Sequence, residues 1–293
     1  MRTLEFSPRR YAASVWRDAR AAMRRVARDR AALAAIILLL LPWFALFFLR
    51  SNTEWLSQLG GLTAIILAFW WMSRSGSAAL PEVKHPRLEF LFAMSLVVFW
   101  IVWRIGICGK AFFFLPADFK CFGSFEFETA PKVISLTIFP VAVLFAAGYR
   151  WHAQGIDLNL RAWWIALPAL VGLSGYALYL HYTDLPKLGQ SVVEYFFAAG
   201  LPEELLFRAI LLTRLEAWWR NSGWALFVTS LIFGLTHVPI DYLFFTSHNW
   251  EETWIAALTF QMGFGAAFAF AYQRTRNIWP LAILHALVDA LNL

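Results

Sequence analysis

Nine apolar runs of about membrane-spanning length follow one another along this chain of 293 residues, at about 31–49, 54–73, 88–108, 131–149, 162–180, 190–216, 223–245, 254–273 and 278–293. A helix needs roughly 20 consecutive, mostly apolar residues to cross the hydrocarbon of a bilayer. The expected fold is therefore all-α, a polytopic transmembrane helical bundle. The last run is short and the seventh contains Pro239, so the expectation is eight or nine spans. Composition agrees: 60% of the residues are hydrophobic and 15% charged, against about 25% charged in ordinary soluble domains. A soluble core of this length could not hide so much apolar surface. No soluble domain fits between the runs, and neither an internal repeat nor a low-complexity linker interrupts them.

The charge is uneven. Residues 1–30 hold nine Arg against Glu5, Asp18 and Asp29, which accounts for the whole formal net charge of +6 and leaves the remainder neutral. A basic stretch directly before the first apolar run reads as an anchor on anionic cytoplasmic lipid, with Val15 and Trp16 suiting a helix at the headgroups. It lacks the small-residue cleavage site of a signal peptide, and a nucleic-acid arm is the weaker reading. With the N-terminus cytoplasmic, the inside loops carry Arg74, Lys84, Arg87, Arg150 and Arg161, then Arg214, Arg220, Arg274 and Arg276. The outside loops are less basic, as the positive-inside rule requires. Cys108 and Cys121, the two cysteines, then flank an outside loop where they could pair.

Ionisable groups inside spans are costly and mark functions or buried pairs. Here they gather in the C-terminal third. In Gly200-Leu-Pro-Glu203-Glu204-Leu-Leu-Phe-Arg208, Gly200 and Pro202 are expected to break the sixth span, placing both glutamates in the first turn of a restarting helix. Arg208, four residues after Glu204, shares its face and can pair with it. Glu203 is left uncompensated and free to face a cavity, although the three could also form a purely structural charge cluster. Phe233-Gly-Leu-Thr-His237-Val-Pro239 brings an imidazole beside small residues that admit a neighbouring helix. A lone histidine in such a place is more often a packing residue than a catalytic one. In His285-Ala-Leu-Val-Asp289 the spacing of four puts imidazole and carboxylate on one face, with Asn292 expected on the same face. Two Glu, one Arg, two His and one Asp on separate spans suit hydrolysis: a carboxylate and an imidazole polarise a water, and a second imidazole donates to an oxyanion. No Ser or Cys nucleophile with a matching base is evident.

These clusters resemble the three motifs of the CPBP (Abi) family of membrane proteases, the type II CAAX prenyl and bacteriocin-processing enzymes: Glu-Glu-x-x-x-Arg, Phe-x-x-x-His and His-x-x-x-Asn/Asp. The resemblance covers about 190–293, and the earlier helices match only generically. It implies that Glu203 and His237 activate the water, that His285 and Asp289 stabilise the oxyanion, and that Arg208 holds Glu204. The family prefers Asn where this chain has Asp289. An ionised Asp cannot donate, so it must be protonated, orient His285, or yield the role to Asn292.

The expected organisation is a basic segment at 1–30, N-terminal transmembrane helices at 31–189 and a catalytic transmembrane core at 190–293. The expected function is an intramembrane glutamic-type endopeptidase in a bacterial inner membrane. It would cut a membrane-anchored or lipid-modified peptide or protein near its C-terminus, with sorting or peptide processing favoured over prenyl-tail cleavage. No cofactor, metal or nucleic acid is called for, and neither His-Glu-x-x-His nor a cysteine cluster is present. The competing class is a non-catalytic immunity or scaffold protein, or a proton-coupled transporter, although a transporter would more often carry an internal repeat.

Overall fold

Each of the nine apolar runs coincides with a helix in the computed structural model, which describes residues 13, 15–21, 23–24, 30–49, 54–73, 78–109, 128–156 and 159–292. The helices are α1 (Arg30–Leu49), α2 (Glu54–Met72), α3 (Pro86–Cys108), α4 (Ala130–Ala146), α5 (Leu160–Leu180), α6 (185–219), α7 (Ser222–Phe245), α8 (Trp250–Thr275) and α9 (Trp279–Asp289). Among the described residues the regular structure is entirely helical. α3, α5, α7 and α8 are long and apolar enough to cross a membrane, while α1, α2, α4 and α9 carry shorter apolar stretches. Within the basic segment, 15–21 are helical and the Arg20 guanidinium lies 5.0 Å from the Trp16 ring centre.

α6 is the hub, packed by α3, α4, α7, α8 and α9. Its middle, Glu204–Leu212, is buried at all nine positions, as befits a stretch with apolar residues on every side. The expected break at Gly200 and Pro202 is not there. Gly200 has right-handed helical angles (φ −52°, ψ −60°), and the chain runs on as helix from 185 to 219. Wide π-helical turns at Phe196–Gly200 and Glu204–Leu212 absorb the missing N–H and the ring of Pro202 instead. The two glutamates thus sit in mid-helix, away from any free helix N-terminus. Gly200 is required for a different reason: a Cβ there would collide with the Ala282 carbonyl of α9. Gly234 of α7 likewise lies against the Ala257 carbonyl and Met262 of α8, the close approach expected of a small residue.

Arg214 is not a loop residue either. It lies within α6, fully buried, its Nε donating to Glu89 of α3 at 3.0 Å and its Nη1 to the Ala209 carbonyl at 2.8 Å. The helix runs on to Trp219, so this cation drops out of the loop count. Glu89 also accepts from the Tyr149 hydroxyl, and Arg276 pairs with Glu216 at 2.9 Å. These pairs fasten one end of α6 to α3 and α8. Cys108, the last residue of α3, is disulfide-bonded; Cys121 lies outside the described residues.

Candidate active site

At the opposite end of α6 from these pairs, a cavity of about 720 Å³ opens among α3, α4, α6, α7, α8 and α9. Glu203, His237, His285 and Asp289 all line it. Glu204 and Arg208 stand behind that wall. Four π-helical turns, Phe196–Gly200, Glu204–Leu212, Asp241–Phe245 and Ala257–Gln261, contain or directly follow a lining residue (Ala198, Glu203, Asp241 and Phe260), and Lys132 lies two residues before a further one at Ile134–Ile138. A π turn widens a helix locally and re-aims the side chains around it, and such turns often occur at functional sites.

His285 organises the back of the site. Its Nδ1 donates to Glu204 Oε1 at 2.8 Å, and its Nε2 lies 3.8 Å from Glu203 Oε2 and 3.6 Å from Asp289 Oδ2. The i,i+4 spacing of His285 and Asp289 therefore brings them together, as expected. Glu204 also faces Arg208 Nη1 at 3.3 Å, the expected i,i+4 pair. The Arg208 guanidinium stacks over Phe233 at 4.4 Å and is almost completely buried, with Phe207 and Phe268 nearby. Aromatic faces stabilise a cation removed from water. Phe233 of the second cluster therefore covers Arg208 of the first.

His237 Nδ1 donates to the Phe233 carbonyl at 2.8 Å. A neutral ring so held presents a bare Nε2, an acceptor. Asn292 falls in a 3-10 turn beyond α9, so the helical periodicity that would have put it on the His285 face stops at Asp289. Its side chain is outside those described.

Glu203 is not the uncompensated carboxylate expected from the sequence. Lys132, in the first turn of α4, donates from Nζ to Glu203 Oε1 at 2.5 Å, and both side chains are nearly buried. The ammonium also lies 5.5 Å from the Trp100 ring centre. Nothing within 190–293 signals this partner, which is 71 residues away. The available signal was local to α4, a lysine just inside an apolar run. Arg104 and Glu128, paired at 2.9 Å, and Asp241 also line the cavity, and none belongs to a spaced motif. Among the described residues no three His, Cys, Asp or Glu side chains stand together as a metal site.

No curated protein and no solved structure matches the chain. Residues 187–291, which carry Glu203, Glu204, Arg208, His237, His285 and Asp289, match the family model of the type II CAAX prenyl endopeptidases, Rce1-like, and this match supports membership of the CPBP family of membrane proteases.

Proposed function

We propose that this protein is an intramembrane endopeptidase of the glutamic type, in which Glu203 and His237 activate a water held in the cavity. The observation that carries the reading is the convergence of Glu203, His237, His285 and Asp289, from three helices, on one cavity wall. Lys132 fixes Glu203 through Oε1, leaving Oε2 to orient the water, and His237 Nε2 takes its proton. The water oxygen bonds to the scissile carbonyl carbon. The protonated His285 ring, held through Nδ1 by Glu204, donates from Nε2, beside Asp289, to the oxyanion, and the proton held by His237 passes to the leaving nitrogen as the C–N bond breaks. Glu204, held by Arg208, keeps the His285 ring oriented. The enzyme sits in a bacterial inner membrane with its N-terminus cytoplasmic and eight or nine spans. It cuts a membrane-anchored or lipid-modified peptide or protein near the C-terminus of that substrate.

His237→Ala should lower cleavage of a C-terminally anchored reporter by roughly 10²–10⁴-fold, the usual cost of losing a general base, without lowering the amount of inserted protein. Mass spectrometry of the reporter after incubation with purified enzyme in nanodiscs reads the cut. Full activity in Glu203→Gln would overturn the glutamate mechanism.

A further inference from the structure

The charge of the cavity goes beyond what hydrolysis requires. Five described lining residues are carboxylates (Glu128, Glu194, Glu203, Asp241 and Asp289) and two are cations. Lys132 is engaged by Glu203 and Arg104 by Glu128. With both glutamate pairs neutralised internally, Glu194, Asp241 and Asp289 remain, and Asp289 leans on His285. Asp241 is the unusual one. It is 6% exposed, and its buried Oδ2 has no hydrogen-bond partner. Arg104 acts on it electrostatically while bonded to Glu128. A buried carboxylate oxygen normally finds a partner, because leaving one unmade is costly. Asp241 also lies one turn beyond His237 on the same helix, about 6 Å further along the axis, where the π turn Asp241–Phe245 begins. Glu194, exposed on α6, lines the same cavity.

We infer that Asp241, with Glu194, is a specificity-determining pair that reads a lysine or arginine side chain of the substrate, a few residues from the scissile bond. This rests on the protease reading for the word substrate, but not for the cation. In a low-dielectric cleft a carboxylate lacking its cation is an incomplete ion pair, and a substrate that supplies the ammonium or guanidinium completes it. The acidic wall would also repel substrates with carboxylates at that position, so selection acts in both directions. The matching substrate is an apolar segment flanked by basic residues.

The test uses full-length protein carrying His237→Ala, which prevents turnover, in non-ionic dodecyl maltoside micelles. Three fluorescein-labelled single-span peptides are titrated, identical but for Lys-Lys, Gln-Gln or Glu-Glu at one flank, and binding is read by anisotropy at low salt. The Lys-Lys peptide should bind at least about tenfold more tightly than Gln-Gln, equivalent to about 1.4 kcal/mol, and Glu-Glu should bind weakest. Asp241→Asn should cut the preference to about threefold or less, and Glu194→Gln should reduce it in part. The second variant, at an exposed site, stands in should Asp241→Asn fail to fold. Equal binding of Lys-Lys and Gln-Gln overturns the inference, as does a preference undiminished in both variants. Added phosphatidylethanolamine that abolishes the preference would assign the pocket to a lipid amine and also overturn it. Enzyme with His237 intact separates the two readings. Preference without cleavage of any peptide removes the protease and keeps the cation pocket, whereas cleavage without preference does the reverse.

Discussion

Helices α5 and α8 are nearly equal in hydropathy, yet 17% of the apolar window of α5 is buried inside the protein and 56% of that of α8. Composition is the same currency for both. What differs is the size of the residues at the contact. α8 carries Gly-x-Gly-Ala-Ala (263–267) and presents backbone to α7, whereas Leu160, Trp164, Val171 and Tyr179 of α5 all point outward. The glycines show the same contrast. Gly200 and Gly234 in the core abut backbone atoms of neighbouring helices, while Gly172 and Gly175 of α5 have nothing within 4 Å of where a Cβ would stand. In lipid, where apolar surface gains little by meeting apolar surface, close packing of small residues and polar pairs decide which helices associate. The C-terminal region supplies both; α5 supplies a lipid-facing surface.

The sharpest way to break this contrast is to put the same bulk in both places. Gly200→Leu should yield no folded protein, since the Ala282 carbonyl cannot retreat, whereas Gly172→Leu should accumulate as wild type. Monodisperse yield on size-exclusion chromatography reads both, and equal yields would dissolve the distinction. Next in size is Arg208→Ala, which leaves Glu204 buried without its cation at a cost of about 3–5 kcal/mol. It should lower yield along with activity. Glu204→Gln combined with Arg208→Gln should restore part of the yield but not the activity, because Glu204 also holds His285. If Arg208→Ala accumulates normally and only turnover falls, Arg208 acts in the chemistry.

Lys132→Met should affect turnover more than yield. Freed of its ammonium, the Glu203 carboxylate shifts, and misplacing a reacting group by an ångström costs on the order of 10²-fold. A thermal melt beside the rate measurement separates the two effects, and an unchanged rate would exclude Lys132 as the group that positions Glu203. The smallest effect is expected from Asp289→Asn, which should keep appreciable activity because its amide can donate where the carboxylate orients. Asp289→Leu should be nearly inactive. An inactive, well-folded Asp289→Asn would assign the carboxyl group a direct role.

The sequence made the helices legible because nine apolar runs admit few alternatives in lipid. It made half of the site legible because motif spacing reports what shares a helix face: Glu204 with Arg208, and His285 with Asp289. Contacts between helices left no such trace. Lys132 meets Glu203 across 71 residues and His285 meets Glu204 across 81, and neither separation has a period to read. Gly200-Leu-Pro202 reads as a break in the sequence because glycine and proline are the usual punctuation of helices. Here glycine serves a helix crossing, and the adjoining π turn accommodates proline. Asp241 leaves no signal in the sequence because it stands alone, without a spaced partner to form a pattern.

The π turns also bear on how this chain tolerates insertion and deletion. A π turn holds one residue more than the α turn it replaces, so losing one residue from Phe196–Gly200 would leave an unbroken helix, not a gap. Hydrogen bonding, length and hydropathy would all survive. So would the azimuth of the residues on either side, because the α turn that remains sweeps the same single turn as the π turn it replaces. A single-codon loss at Ala198 or Ala199 would therefore preserve the helix and its flanking faces, and change only the narrow strip of cavity wall that these two alanines line.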